Sequence, residues 1–127
     1  MQSSSIHQIH VLLEGRGVSV VPDSSLYSDS SGEWSEAEHH APLSNTRSQV
    51  AAWEGQPGWV RIDNWPYHEV CVIQEGRVAV EDTAGLRREF GSGEAFVIPA
   101  GFSGIWHTLE PARKIFVGIV PDTKHKP

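Results

Sequence analysis

The sequence predicts a single all-β domain, and three observations carry that expectation. From Val50 onward, short apolar runs recur with turn signals between them and almost no helical period. The turn signals are regular in kind: Gly or Pro at 55–58, 75–76, 84–85, 91–93, 99–101 and 110–111. Third, residues 93–106, GEAFVIPAGFSGIW, read as strand, tight corner, strand. Pro99 ends the first strand, and Gly101 permits a backbone angle that a side chain resists. Many short strands at this spacing indicate a sandwich or barrel.

The elements follow in order. Strands are expected at 50–53, 58–63, 69–74, 77–82, 86–90, 95–98, 104–109 and 114–120. In some, such as 69–74, side chains alternate between two faces along the chain, and others, such as 95–98, are short apolar runs. Residues 1–46 differ in character and read as an N-terminal extension to a core at 47–127, within one domain overall. In the extension, the apolar runs 9–13 and 18–21 are separated by Glu14, Gly15, Arg16 and Gly17 and suggest a small hairpin. The Ser- and Asp-rich stretch 24–32 reads as an exposed loop, and residues 34–40 as a short helical turn. The extension is expected to pair across a homodimer interface or to cover one sheet, because short edge strands want a partner.

Composition excludes several classes. Sixteen acidic against ten basic residues give a net charge of −6, and the basic residues form no stripe. Binding to nucleic acid or to anionic membranes is therefore not expected. No apolar run is long enough to span a bilayer, and no basic segment with an apolar core opens the chain. With Cys71 as the single cysteine, no internal disulfide is possible, and a cytoplasmic location is expected.

The family signal lies in an ordered set of fragments. These are Trp53-Glu54-Gly55, Pro57-Gly58, Tyr67 with Glu69-Val70, Glu75-Gly76-Arg77-Val78, Gly93-Glu94-Ala95-Phe96, Pro99-Ala100-Gly101-Phe102, Gly104 with Trp106, and Arg113-Lys114. In this order they resemble the cupin superfamily (RmlC-like), in the branch of ureidoglycine aminohydrolase-like and ethanolamine-utilisation-like proteins. The resemblance implies an antiparallel jelly-roll barrel. It also implies a metal held by three histidines, two of them just before a glutamate that lies seven positions before a glycine. Glu69 and Gly76 keep that spacing, but the histidine places fall on Asp63 and Trp65, or on Asn64 and Pro66, and the third falls on Gly104. The expectation is therefore no cofactor. If a divalent metal binds, the donors at hand are Asp63, Glu69, His68 and His107. Of the other histidines, His39 and His40 cannot both aim at one ion on an extended chain. His7, His10 and His125 read as exposed.

The expected inner face carries the remaining chemistry. Strand parity puts Glu69, Cys71 and Ile73 on one face, and Trp53, Trp59, Arg61, Asp63, Trp65, Tyr67 and Trp106 on the same cavity wall. Ligand-binding candidates are Trp53, Arg61, Asp63, Tyr67, Trp106 and Lys114, with Glu69 the candidate catalytic acid–base group. Arg61 suits a bidentate grip on a carboxylate. Lys114 pairs with Glu69, meets an anionic ligand, or serves only as an edge-strand charge that discourages aggregation, and the tryptophans serve as ligand contacts or as core.

Three functions stay open at this point. The first is a small-molecule-binding cupin with a degenerate metal site, its pocket taking an anionic or sugar-like metabolite. The second is an enzyme acting through Glu69 on a small nitrogen-containing or acyl substrate. The third is a structural or assembly protein with a filled barrel.

Overall fold

The structure, a computed structural model, describes residues 3–12, 18–20, 24–32, 34–44 and 47–122. Eleven strands occur among them, with helix limited to the 3-10 turns Ile6–Gln8 and Ser24–Leu26. The larger sheet places β1 (Val18–Val20), β3 (Glu36–His40), β4 (Ser48–Gly55), β11 (Ala112–Ile119), β6 (His68–Glu75) and β9 (Ala95–Ile98) side by side in that order. The smaller sheet runs β2 (Asp29–Ser30), β5 (Gly58–Ile62), β10 (Gly104–Thr108), β7 (Arg77–Glu81) and β8 (Arg87–Gly91). Every pairing is antiparallel. All eight strands expected after Val50 form, within two residues of their expected ends.

This is the jelly-roll arrangement, with one difference from a barrel. No ladder joins the two sheets among the described residues, so the sheets face each other as a sandwich instead of closing. Their facing sides supply the core: Ala51, Cys71, Ile73 and Phe116 from the larger sheet, Val60, Val78, Phe90 and Trp106 from the smaller. Phe90 and Phe96 stack at 3.8 Å between centroids and seal one end.

The corner at Pro99–Gly101 forms as the sequence predicts. Gly101 takes φ +90°, its N–H donates to the Trp65 carbonyl at 2.8 Å, and the Phe102 carbonyl accepts from Trp65 N–H at 2.7 Å. The corner is thereby tied to the segment that precedes β6.

The extension departs from expectation. Residues 34–40 carry no helical turn; Glu36–His40 forms β3 against β4, where alternating Glu, Glu and His find one face and Ala37 and His39 the other. Val18–Val20 pairs with β3 and not with residues 9–12, which hold no strand. Asp29–Ser30, inside the expected loop, adds β2 to the smaller sheet. The extension thus lengthens both sheets of its own chain, and its Leu26, Tyr27 and Trp34 pack against the core. Leu13, the turn at residues 14–17, Val21 and the tail with His125 lie outside the described residues. No described helix is long and apolar enough to cross a membrane.

The β6–β7 turn gives the first prediction. Gly76 has φ +80°, and a Cβ there would lie 2.2 Å from the Pro111 carbonyl oxygen. Both backbone strain and a collision with main chain follow from any side chain. Gly76→Ala is expected to cost about 1–3 kcal/mol, read as a lower urea midpoint. An unchanged midpoint would remove this turn from the constraints on the fold.

Candidate functional site

Alternation along β6 turns Glu69, Cys71 and Ile73 into the sandwich and leaves His68 exposed. From β11, Lys114 and Phe116 point the same way. Glu69 and Lys114 are only 4% and 5% exposed, and the Lys114 Nζ lies 2.6 Å from Glu69 Oε2. Two further donors reach the carboxylate: the Trp65 indole N–H to Oε1 at 3.0 Å, and the Cys71 thiol to Oε2 at 3.0 Å. The ammonium in turn sits over the Trp106 ring at 3.9 Å, with the Trp53 and Phe116 rings at 4.8 and 5.3 Å. A buried charge pair survives only with such saturation, since desolvation otherwise exceeds the attraction.

The electrostatics follow from this packing. Burial pushes the Glu69 carboxyl up, but the Lys114 charge and the hydrogen bonds from Lys114, Cys71 and Trp65 outweigh it, so its pKa falls below the usual carboxylate value. Burial acts to lower Lys114, but the nearby Glu69 charge, its hydrogen bond to the ammonium and the neighbouring acidic groups together outweigh it and hold the ammonium above the usual lysine value. Cys71 is pushed up by burial, which makes it the inert thiol the sequence suggests.

Beside this pair opens a cavity of about 560 Å³. Its wall includes Trp53, Trp65, Tyr67, Glu69, Phe116 and Lys114 from the larger sheet and its entry segment, and Val60, Ile62 and Trp106 from the smaller. The extension adds Tyr27, Trp34, Glu36, Glu38 and His40 to that wall. Glu36 accepts from the Trp53 indole N–H at 2.7 Å and from the Tyr27 hydroxyl. Burial is the main cause of its raised pKa, opposed by those two hydrogen bonds. Glu38 pairs with His40 at 2.6 Å.

The structure brings together four of the six expected ligand-binding residues around Glu69: Trp53, Tyr67, Trp106 and Lys114 line the cavity with it, and Arg61 and Asp63 do not. In β5, Val60 and Ile62 face inward, so Trp59 and Arg61 face out, where Arg61 donates to Ser28 Oγ at 3.1 Å. Asp63 is exposed, 3.9 Å from Arg61 Nε. The parity count fails because residues 63–67 are a turn with Asn64 at φ +63°, which resets the phase before Trp65. His107 faces away from the cavity and meets Glu81 at 2.8 Å, and exposed His68 accepts from Ala100 N–H at 3.1 Å.

The metal centre that the cupin resemblance implies does not fit these residues. No three His, Cys, Asp or Glu side chains are gathered as a ligand set among the described residues. The Glu69 carboxylate is committed to an internal cation. At Gly104, the place of the third histidine, a Cβ would lie 2.3 Å from the Glu81 carbonyl oxygen and 2.6 Å from the Phe102 ring. No side chain enters there without moving main chain.

Sequence reasoning missed Glu36, Glu38, His40 and Tyr27 as wall residues. The signal was present in the alternation of Glu36, Glu38 and His40, which reads as one face of a strand once that segment is extended.

Two predictions follow from the pair. Glu69→Gln strands the Lys114 ammonium in the interior and is expected to cost about 3–5 kcal/mol in chemical denaturation. In the wild type, the pair's contribution is lost on the acid side as pH falls through the depressed Glu69 value. On the alkaline side it holds through the usual lysine value of 10.5 and is lost only above it. In the variant, the Glu69 charge and hydrogen bond no longer offset burial at Lys114, so its pKa moves down. The alkaline loss of stability is then reduced, because a buried amine that has given up its proton no longer carries the penalty of an unpaired charge. A variant as stable as the wild type, with the same pH profile, would show that the pair holds nothing together. Elemental analysis of purified protein is expected to find no stoichiometric transition metal. About one zinc, manganese, iron or nickel per chain, lost with Glu69→Gln, would contradict the ligand geometry.

Comparisons with known proteins agree with this architecture. The family model of the EutQ-like cupin domain matches residues 44–116. Among solved structures, a protein assigned as ethanolamine utilization protein Q from Salmonella typhimurium LT2 superposes with a TM-score of 0.63 at 18% identity, covering 90% of this chain and 94% of that one. The EutQ protein of Clostridium difficile gives 0.61 at 19% identity, covering 81% and 82%. A cupin-2 domain protein from Shewanella frigidimarina gives 0.55 at 16% identity, covering 75% and 86%. At these identities the likeness is one of fold. Comparison with curated proteins returns no match. With a family model spanning over half its length and the fold to go with it, the chain belongs to the EutQ-like cupin family.

Proposed function

We propose that this cupin binds a small organic molecule in the cavity between its sheets, with the Glu69–Lys114 pair as a fixed part of the wall. One observation carries the reading: an open cavity of about 560 Å³ walled by aromatic rings, with a few polar groups converging on it. That volume and character suit a metabolite-sized ligand. A filled barrel, the assembly alternative, has no such space.

The lining also narrows the ligand. Arg61, the expected clamp for a carboxylate, stands on the outer surface, and Lys114 is already neutralised by Glu69. The anionic half of the expectation therefore loses its support, while flat tryptophan and tyrosine faces with carboxylate acceptors suit a hydroxylated or amino compound. The enzyme alternative loses its acid–base group, since Glu69 is held ionised by an ammonium and two further donors.

A cavity-filling variant tests the reading. Gln49 is half-buried on the cavity wall, and Gln49→Trp should occupy the space without removing a core residue. In thermal melts against a panel of metabolite-sized polyols, amines and carboxylates, at least one class is expected to stabilise the wild type, by about 2.7 kcal/mol at a hundredfold excess over Kd. The filled variant should show no shift. Stabilisation by no class, or equal stabilisation of Gln49→Trp, would end the proposal.

A further inference from the structure

The charged groups around the cavity do not balance: among the lining residues, carboxylates outnumber the Lys114 ammonium, and Glu36 is the most deeply committed to uncharged partners. Three carboxylates line the wall, those of Glu36, Glu38 and Glu69. Glu69 is matched by Lys114 at 2.6 Å, and Glu38 shares a hydrogen bond with the His40 ring at 2.6 Å. The hydrogen-bonding partners of Glu36 are both uncharged, the Trp53 indole and the Tyr27 hydroxyl. A carboxylate drawn out of water without a cation of its own is costly, and burial raises its proton affinity accordingly.

The same cavity shows how this chain accommodates an ammonium. Lys114 meets a carboxylate on one side and indole faces on the others, Trp106 at 3.9 Å and Trp53 at 4.8 Å. Around Glu36 those components recur: Trp53 donates to its carboxylate, and Tyr27 and Trp34 meet edge to face at 5.3 Å on the same wall. What that half of the cavity lacks is the ammonium. Cations bind well over such rings, and best when a carboxylate shares the site.

From this repetition, we propose that the cavity's ligand is a small organic amine whose protonated nitrogen seats on Glu36 among the Tyr27, Trp34 and Trp53 rings. The proposal rests on the small-molecule reading above and names its ligand class. It also gives the extension a purpose, since Tyr27, Trp34 and Glu36 all precede residue 47. The ligand contact would then be built by the extension laid against the core.

A charge series on the full wild-type chain tests it. n-Butylammonium, n-butanol and butyrate share a carbon chain and differ in charge. Binding is followed through the Trp53 indole N–H resonance, whose proton lies on Glu36. n-Butylammonium is expected to shift that resonance saturably, with affinity at least about tenfold above that for n-butanol and with no binding of butyrate. Glu36→Gln, which keeps an acceptor but removes the charge, should weaken n-butylammonium about tenfold or more and leave n-butanol little changed. Tyr27→Phe provides a second variant that retains the Glu36 charge and should retain the preference for the cation. If n-butanol or a polyol such as glycerol binds as well as the ammonium, the amine inference fails and the small-molecule reading stands. If none of the probes moves the resonance and the metabolite panel stabilises nothing, both fail.

Discussion

One buried ion pair organises the interior of this cupin. Glu69 on β6 and Lys114 on β11 sit on neighbouring strands, and their side chains meet on the inner face at 2.6 Å. Neither charge is tolerable alone in an apolar sandwich, so each fixes what surrounds it. The carboxylate draws the Trp65 indole and the Cys71 thiol; the ammonium draws the faces of Trp106, Trp53 and Phe116. Trp106 comes from the opposite sheet, so the pair reaches across the sandwich as well as along one sheet.

Those rings are then no longer free to pack as an anonymous core. Trp53 and Trp106 stand edge to face at 5.7 Å, and their arrangement around the ammonium leaves the cavity walled and open instead of collapsed. The ammonium also bears on where a metal would have to sit. A positive charge is already built into the place where the glutamate of the first cupin block points. At the third histidine position, main chain closes around Gly104.

Much of this was legible in the sequence. Turn residues and alternation located every strand after residue 50, and the order of short fragments gave the family. The pairing of Lys114 with Glu69 was one of three readings, and the geometry selects it. The failures have physical causes. Arg61 was placed inward because parity was carried through residues 63–67, where Asn64 leaves the extended region and breaks the count. The extension was set apart because its strands are short and polar. Its inward glutamates are stabilised by partners distant in sequence, Glu36 by Trp53 for example, and no local pattern announces such a contact. Propensity reads a segment; burial of Glu36 depends on the sheet that receives it.

The central claim is that the Lys114 ammonium is a permanent, charged part of the site held by Glu69. Nitrogen NMR of the lysine Nζ, followed through an alkaline titration, tests it most directly. The account predicts that Lys114 stays protonated past the usual lysine value of 10.5, after exposed amines have titrated, and that its shift responds to replacement of Glu69. A Lys114 that loses its proton below that value in the wild type would be a buried neutral amine, and the account of the site would fail with it.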